Sequence, residues 1–229
     1  MANDEEKKES LSLSDVLVDF IQKNRKSLFI ALIGIIVVVI GFVAGLSIRE
    51  SVLEKAISRV ESLNDRYEEI RFNINESEKA LDVQALLEDL NANAEKSFGY
   101  ASARSYALAA SIHADQKKWE DAEKAWKAAA GKGGKSYLTP VCLFNAASAA
   151  EEYDNIEGAI ESYTKVLTYA DIFPMAARAQ FSIGRLEEGR NNRDAALSAY
   201  RAVIEKWPAD PVWANFANNR IIVLSNRRS

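Results

Sequence analysis

Residues 129–136 read Ala-Ala-Gly-Lys-Gly-Gly-Lys-Ser, the spacing [AG]-x4-G-K-[ST] in which backbone amides and a lysine cradle phosphates. That chemistry needs a strand before the loop and a helix after it. Here a helical pattern precedes the stretch and Pro140 follows it closely, so it is expected to be a plain connection with Lys135 in solvent. His113 is the single histidine and Cys142 the single cysteine. The histidine falls on a helical face and reads as structural. No second histidine exists to turn Cys142 into a nucleophile, so it reads as a small packing or surface residue. The carboxylate pairs Glu151-Glu152 and Glu187-Glu188 fall at helix ends and are expected to be solvated. With no triad and no metal-ligand cluster, the chain is expected to be no enzyme and to need no metal or cofactor.

What remains is a set of elements that position surfaces rather than reactive groups. Ser27 to Ile48 contains no Asp, Glu, Lys, Arg, His, Asn or Gln. As a helix it spans about 33 Å, enough for a hydrocarbon core of about 30 Å, and it is expected to be a transmembrane helix. Residues 1–10 are charged and read as disordered. Ser12 and Asp15 form a capping pair ahead of Leu13, Val16, Leu17, Phe20 and Ile21, a 3/4 spacing for an amphipathic helix lying in the membrane interface or extending the span. Lys23, Arg25 and Lys26 crowd one end of the span, which is expected to place residues 1–26 in the cytoplasm and residues 49–229 outside. The net charge of −4 argues against nucleic-acid binding.

From Arg49 to Leu81 the pattern predicts one long helix with a seven-residue repeat. Leu53, Val60, Tyr67, Ile74 and Leu81 form one series, and Ala56, Leu63, Ile70 and Ser77 the other. Two readings follow: a coiled-coil homodimer through 49–81, or a single helix whose stripe packs on the next domain. Leu86, Leu87 and Leu90 predict a further helix that closes the domain's near end, so 49–97 is a linker and cap.

Residues 98–229 repeat themselves. Ala110, Ala147 and Gly184 are 37 residues apart, as are Ala122, Ala159 and Ala196, then Trp126, Tyr163 and Tyr200, then Ala129, Val166 and Val203. Each unit predicts two amphipathic helices, over 100–115 and 119–130, 138–152 and 156–169, 174–188 and 193–206. Small residues on the first helix admit the second, whose aromatic fills the gap toward the next unit. Pro208 stops the last helix. Trp213, Phe216, Ile221, Ile222 and Leu224 predict a capping helix over 211–226.

These columns resemble the tetratricopeptide repeat, with its small residue, alanine, aromatic and proline matched in the third unit by Gly184, Ala196, Tyr200 and Pro208. The longer period fits longer connections at Gly131–Thr139 and Thr168–Pro174. The resemblance implies an all-α fold: a transmembrane helix, a long helical linker, and an α-solenoid of three helix pairs with capping helices. It also implies a groove lined by the first helices, at Arg104, Ala107, Ser111 and Ala114, then Val141, Phe144, Ser148 and Glu151, then Arg178, Phe181, Arg185 and Glu188. Phe144 and Phe181 are expected as equivalent apolar contact points, with Arg178 and Arg185 beside them for carboxylates or carbonyls.

The layout as a whole, with Asp19-Phe20-Ile21-Gln22-Lys23-Asn24 just before a single span, resembles the YfgM-like ancillary SecYEG translocon subunits of bacteria. That resemblance implies a single-pass inner-membrane protein with a periplasmic domain that meets secreted chains, the Sec translocon and periplasmic chaperones. The alternative is a coiled-coil spacer that holds an envelope assembly at a set distance from the membrane.

Overall fold

The computed structural model describes residues 13–226. The charged tail 1–10 and Ser12, half of the expected capping pair, lie outside the described residues. Every regular element among the described residues is helical. The chain divides into two units, one up to Ser51 and one from Val52 onward.

The first unit holds α1 (Leu13–Lys23) and the beginning of α2 (Arg25–Arg71). Asn24 joins them without a break: its backbone N–H donates to Phe20 O at 3.0 Å, and its carbonyl accepts from Leu28 N at 2.9 Å. Val16, Leu17, Phe20 and Ile21 of α1 are exposed, and so are the large apolar side chains along the expected span. An 18-residue window of α2 has a mean hydropathy of 3.0 with none of it buried. Among the described residues it is the one helix long and apolar enough to cross a membrane.

The second unit begins with the remainder of α2. The helix expected to reach Leu81 stops at Arg71, and α3 (Glu76–Lys96) starts after a short turn. Asn75 causes the restart, its side chain accepting from Ser77 N at 3.2 Å and Glu78 N at 3.4 Å as an N-cap. Ile74 and Leu81, expected on the seam, are therefore off that helix and 95% and 69% exposed. The rest of the stripe is used within the chain. Leu63, Tyr67 and Ile70 share a core with Val83, Leu86 and Leu90 of α3 and with Leu108 and Ile112 of α4 (Gly99–Asp115). Arg66 donates to Asp89 across the pair at 3.0 Å, and Asn93 of α3 reaches Ala56 O at 3.3 Å and Ser105 Oγ at 2.9 Å. The surface a second chain would need for a coiled coil is thus the surface that builds this core.

Three helix pairs follow, as the repeat predicts: α4 with α5 (Trp119–Gly133), α6 (Leu138–Glu152) with α7 (Ile156–Val166), and α8 (Ala176–Gly189) with α9 (Arg193–Lys206). The last turn expected in α7 tightens into a 3-10 turn, Leu167–Tyr169. α10 (Pro211–Asn226) caps the array, opened by Asp210, whose side chain accepts from Trp213 N at 3.3 Å. Within each pair the helices meet at a turn whose left-handed residue also recurs: Lys117, Asp154 and Asn191, with φ of 58°, 62° and 59°. The residue after each closes a six-residue bond to the first helix, Lys118 N to His113 O, Asn155 N to Ala150 O and Asn192 N to Glu187 O, all at 2.9 Å. This is the Schellman arrangement, which satisfies helix-end carbonyls and sets the return angle.

The Ala129–Ser136 stretch is mostly the end of α5. Gly134 caps it at φ 59°, Ser136 N bonds Gly133 O at 3.1 Å, and Thr139 Oγ1 bonds Gly134 O at 2.9 Å. The glycines therefore serve a helix end that is closed by the next helix, and their amides form no open cradle.

Candidate functional site: cavities along the first helices of the repeats

The alanine, glycine and aromatic columns decide how closely the helices of a pair approach. A β-carbon at Gly184 would lie 2.6 Å from Tyr200 Cε1, so α9 packs its ring on bare backbone. Ala110 and Ala147 are likewise fully buried at 0% exposure. The two tyrosines of the aromatic column then carry their hydroxyls to the end of the first helix of their own unit.

Those tips organise a network that the sequence reading missed. Tyr163 OH donates to Glu151 Oε1 at 2.9 Å, and Tyr200 OH donates to Glu188 Oε2 at 3.0 Å. Glu151 also pairs with Arg185 from the next unit. Glu188 pairs with Arg220 of α10, whose Nε is 3.0 Å from Oε2. Burial, reinforced by the neighbouring carboxylate, pushes both tyrosine hydroxyls up to about 12. Glu151 and Glu188 were expected in solvent but are only 20% and 15% exposed at the side chain. The readable signal was a Glu and a Tyr held 12 residues apart in two successive units.

A second buried acid, also unforeseen, sits on the second helix of the first unit. Glu123 is 3% exposed. Its carboxylate meets Lys127 Nζ at 2.5 Å, Asn155 Nδ2 at 3.0 Å and the Tyr153 hydroxyl. Burial alone raises its pKa, but these donors outweigh it and hold the group below its ordinary range. The network ties the first unit to the turn of the second, and Gly158 leaves room for it: a β-carbon there would lie 2.8 Å from Glu123 Oε1.

Five of the expected groove residues, Ser148, Glu151, Arg178, Phe181 and Arg185, line one cavity of about 340 Å³ between the second and third units. Arg178 lies 5.3 Å from the Phe144 ring centroid and 6.0 Å from that of Trp213. Phe181 is half-buried, its ring 5.2 Å from Tyr200 and 5.3 Å from Trp213. Phe144 departs from its expected role. It is 8% exposed, roofed by Arg178 and packed on Tyr163 and Phe173 at 5.3 and 6.0 Å, so it is a core residue. Ser111 lines a separate cavity nearer the start of the array, which Ser148 shares. Arg104 joins neither and faces Glu61 at 3.6 Å.

A buried acid beside buried tyrosines can look catalytic, but each is held by structural partners. The chain is similar to a TPR repeat-containing protein of Treponema pallidum (strain Nichols), with 38% identity over 127 residues. That similarity supports a tetratricopeptide-repeat protein. It covers 56% of this chain and 52% of the relative, so the chain spans about half the length of the curated relative it matches. No family model matches the chain. Among solved structures it is similar to BtubC (BKLC) from P. vanneervenii, with a TM-score of 0.44 and 14% identity over 74% of this chain and 65% of that one.

Of the other side chains singled out in the sequence, Cys142 is buried and His113 is half-buried. Burial pushes the Cys142 thiol up to about 12, so little thiolate forms at neutral pH. His113 is half-buried with its Nδ1 unpartnered, and burial lowers its pKa from the ordinary value.

Proposed function

We propose that this chain is a membrane-anchored interaction module that holds extended segments of partner proteins against the first helices of its repeats. The observation that carries this reading is the cavity between the second and third units. There, exposed Arg178 and Arg185, the half-buried Phe181 ring and the Glu151 carboxylate stand together above a packed helical core. Arginines and aromatic rings are the side chains that dominate protein recognition, because they combine area with directed hydrogen bonds. The apolar stretch of α2 is the anchor.

We assign the repeats to the periplasmic side of a bacterial inner membrane, with the N-terminus in the cytoplasm. The support is the Lys23, Arg25 and Lys26 cluster together with the resemblance to the YfgM-like translocon subunits. The partners on this reading are Sec translocon subunits, periplasmic chaperones and secreted chains. No catalytic step is part of it.

A photo-crosslinking amino acid at Arg178, in the full chain in living cells, tests the assignment. Adducts with translocon subunits, chaperones or chains in transit are expected from Arg178 and not from Lys165, an exposed residue of α7. Adducts from Lys165 alone would move the binding surface, and adducts from Arg178 with unrelated proteins would remove the translocon assignment.

A further inference from the structure

The cavities between successive units are built from the same columns but are not filled alike. Between the second and third units, Arg185 ion-pairs with Glu151, which also receives the hydroxyl of Tyr163. One interface earlier the residues 37 positions before these are Ser148, Ala114 and Trp126. Both charged partners are replaced by small side chains and the hydroxyl is absent. The result is a cavity of about 320 Å³ bounded by Ala114, Trp126 and Ser148, with Trp119 as a second indole in its wall. Its rim carries Asp115 and Glu152, and no lysine or arginine lines it. Asp115 accepts a hydrogen bond from Tyr67 OH at 2.7 Å and also lines a neighbouring cavity with Arg71 and Lys79, so Glu152 is the principal acid of this rim. The Glu152 carboxylate has no ion pair or hydrogen bond among the described residues. The later cavity sets Arg178 and Arg185 beside Glu151; the earlier one has two indoles, Asp115 and, at the edge it shares with the later one, Glu152, with no basic side chain in its lining.

We infer that the cavity between the first and second units takes the side chain of an arginine or lysine from a protein partner. Its charge meets Glu152 and Asp115, and its stem or guanidinium plane lies against Trp119 and Trp126. The molecule shows the same chemistry filled from within one unit along, where Arg178 lies over the Phe144 ring and Arg185 meets a carboxylate. A cation held by an aromatic face and a carboxylate at once gains from both, because the ring quadrupole and the anion attract the same charge. This inference rests on the reading of the groove as a binding surface and specifies what its first interface selects.

The test uses the full chain in lipid nanodiscs and a random peptide library displayed on phage. Selected peptides are expected to carry an arginine or lysine whose replacement by citrulline or glutamine weakens binding about tenfold. Glu152→Gln, a change at an exposed residue, should weaken binding of the basic peptide by a similar factor and leave its neutral counterpart unaffected. Ala114→Glu with Ser148→Arg transplants the ion pair of the next interface and should remove the preference for the basic residue. Peptides that bind, lose affinity with Phe181→Ala, and ignore both Glu152→Gln and the loss of their own charge would overturn this inference and leave the groove standing. A basic preference that survives in a transplanted variant melting like wild type would also overturn it. Failure to select any peptide would remove the groove reading as well. Should the double variant fail to fold, Glu152→Gln decides alone.

Discussion

At position 184 the missing β-carbon is what lets Tyr200 lie flat on α8 and still reach Glu188. Gly184→Leu must drive the two helices apart or expel a fully buried ring, and is expected to cost about 1–3 kcal/mol. Thermal unfolding of the full chain in detergent checks it, with Gly189→Ala, where nothing lies within 4 Å, as the control that melts no lower than wild type. Glu123 supplies a pH-dependent term. Its folded pKa is depressed below its ordinary 4.5, so its contribution is present above that pH and is lost as pH falls through the folded value. Glu123→Gln is therefore expected to be less stable than wild type at neutral pH, with the gap narrowing on acidification below 4.5. A constant gap at every pH would show that the charge of Glu123 contributes nothing. None of this lay open in composition: a Glu in an alanine-rich helix reads as solvated, and its donors come from 30 and 32 residues further on as well as from Lys127.

At the scale of elements, periodicity located nearly every helix, because an amphipathic repeat states its period in the chain itself. It failed at Phe72–Asn75. There the seven-residue pattern runs on through a real break, since two Asn side chains take backbone N–H groups out of the helical pattern: Asn75 N donates to Asn73 Oδ1 at 2.9 Å, and Asn75 Oδ1 accepts from Ser77 N and Glu78 N. The consequence reaches oligomeric state. Leu63, 1% exposed, belongs to the intramolecular core with α3 and α4. Leu63→Ala is expected to cost about 2–5 kcal/mol. Equilibrium unfolding at several protein concentrations should show the same midpoint shift throughout, whereas a midpoint that climbs with concentration would restore the coiled-coil dimer. The left-handed turns at Lys117, Asp154 and Asn191 were equally hidden, because none carries the glycine that usually announces them.

For the whole molecule, the apolar length of α2 and the basic residues at its start carry the prediction. On the proposed orientation, with residues 49–229 on the far side of the inner membrane, protease added to spheroplasts should digest the repeats while the N-terminal tail survives. Protection of the repeats in spheroplasts, with cleavage only after the membrane is opened, would reverse the orientation. The array itself is stabilised between neighbours: α4 with α3, α5 with α6, α7 with α8, α9 with α10. Such quasi-linear packing makes each interface a separate local problem, which is why two interfaces of common origin can hold different side chains at Ser148 and Arg185 without disturbing the rest.

The amino-acid order alone determined the long apolar helix, the helical class, the repeat period and the small-residue and aromatic columns, because each is a one-dimensional pattern with a direct physical reading. Which side chains those columns bring together was decided only in three dimensions. Phe144 and Phe181 hold equivalent positions, yet the roof over Phe144 comes from Arg178 and Phe173, so one ring is core and the other half-open. Glu151 and Glu188 looked like helix-end carboxylates, and became structural only when an arginine from the following unit or from the cap arrived beside them. Contacts of that kind depend on the angle between neighbouring units, and no spacing along the chain encodes it.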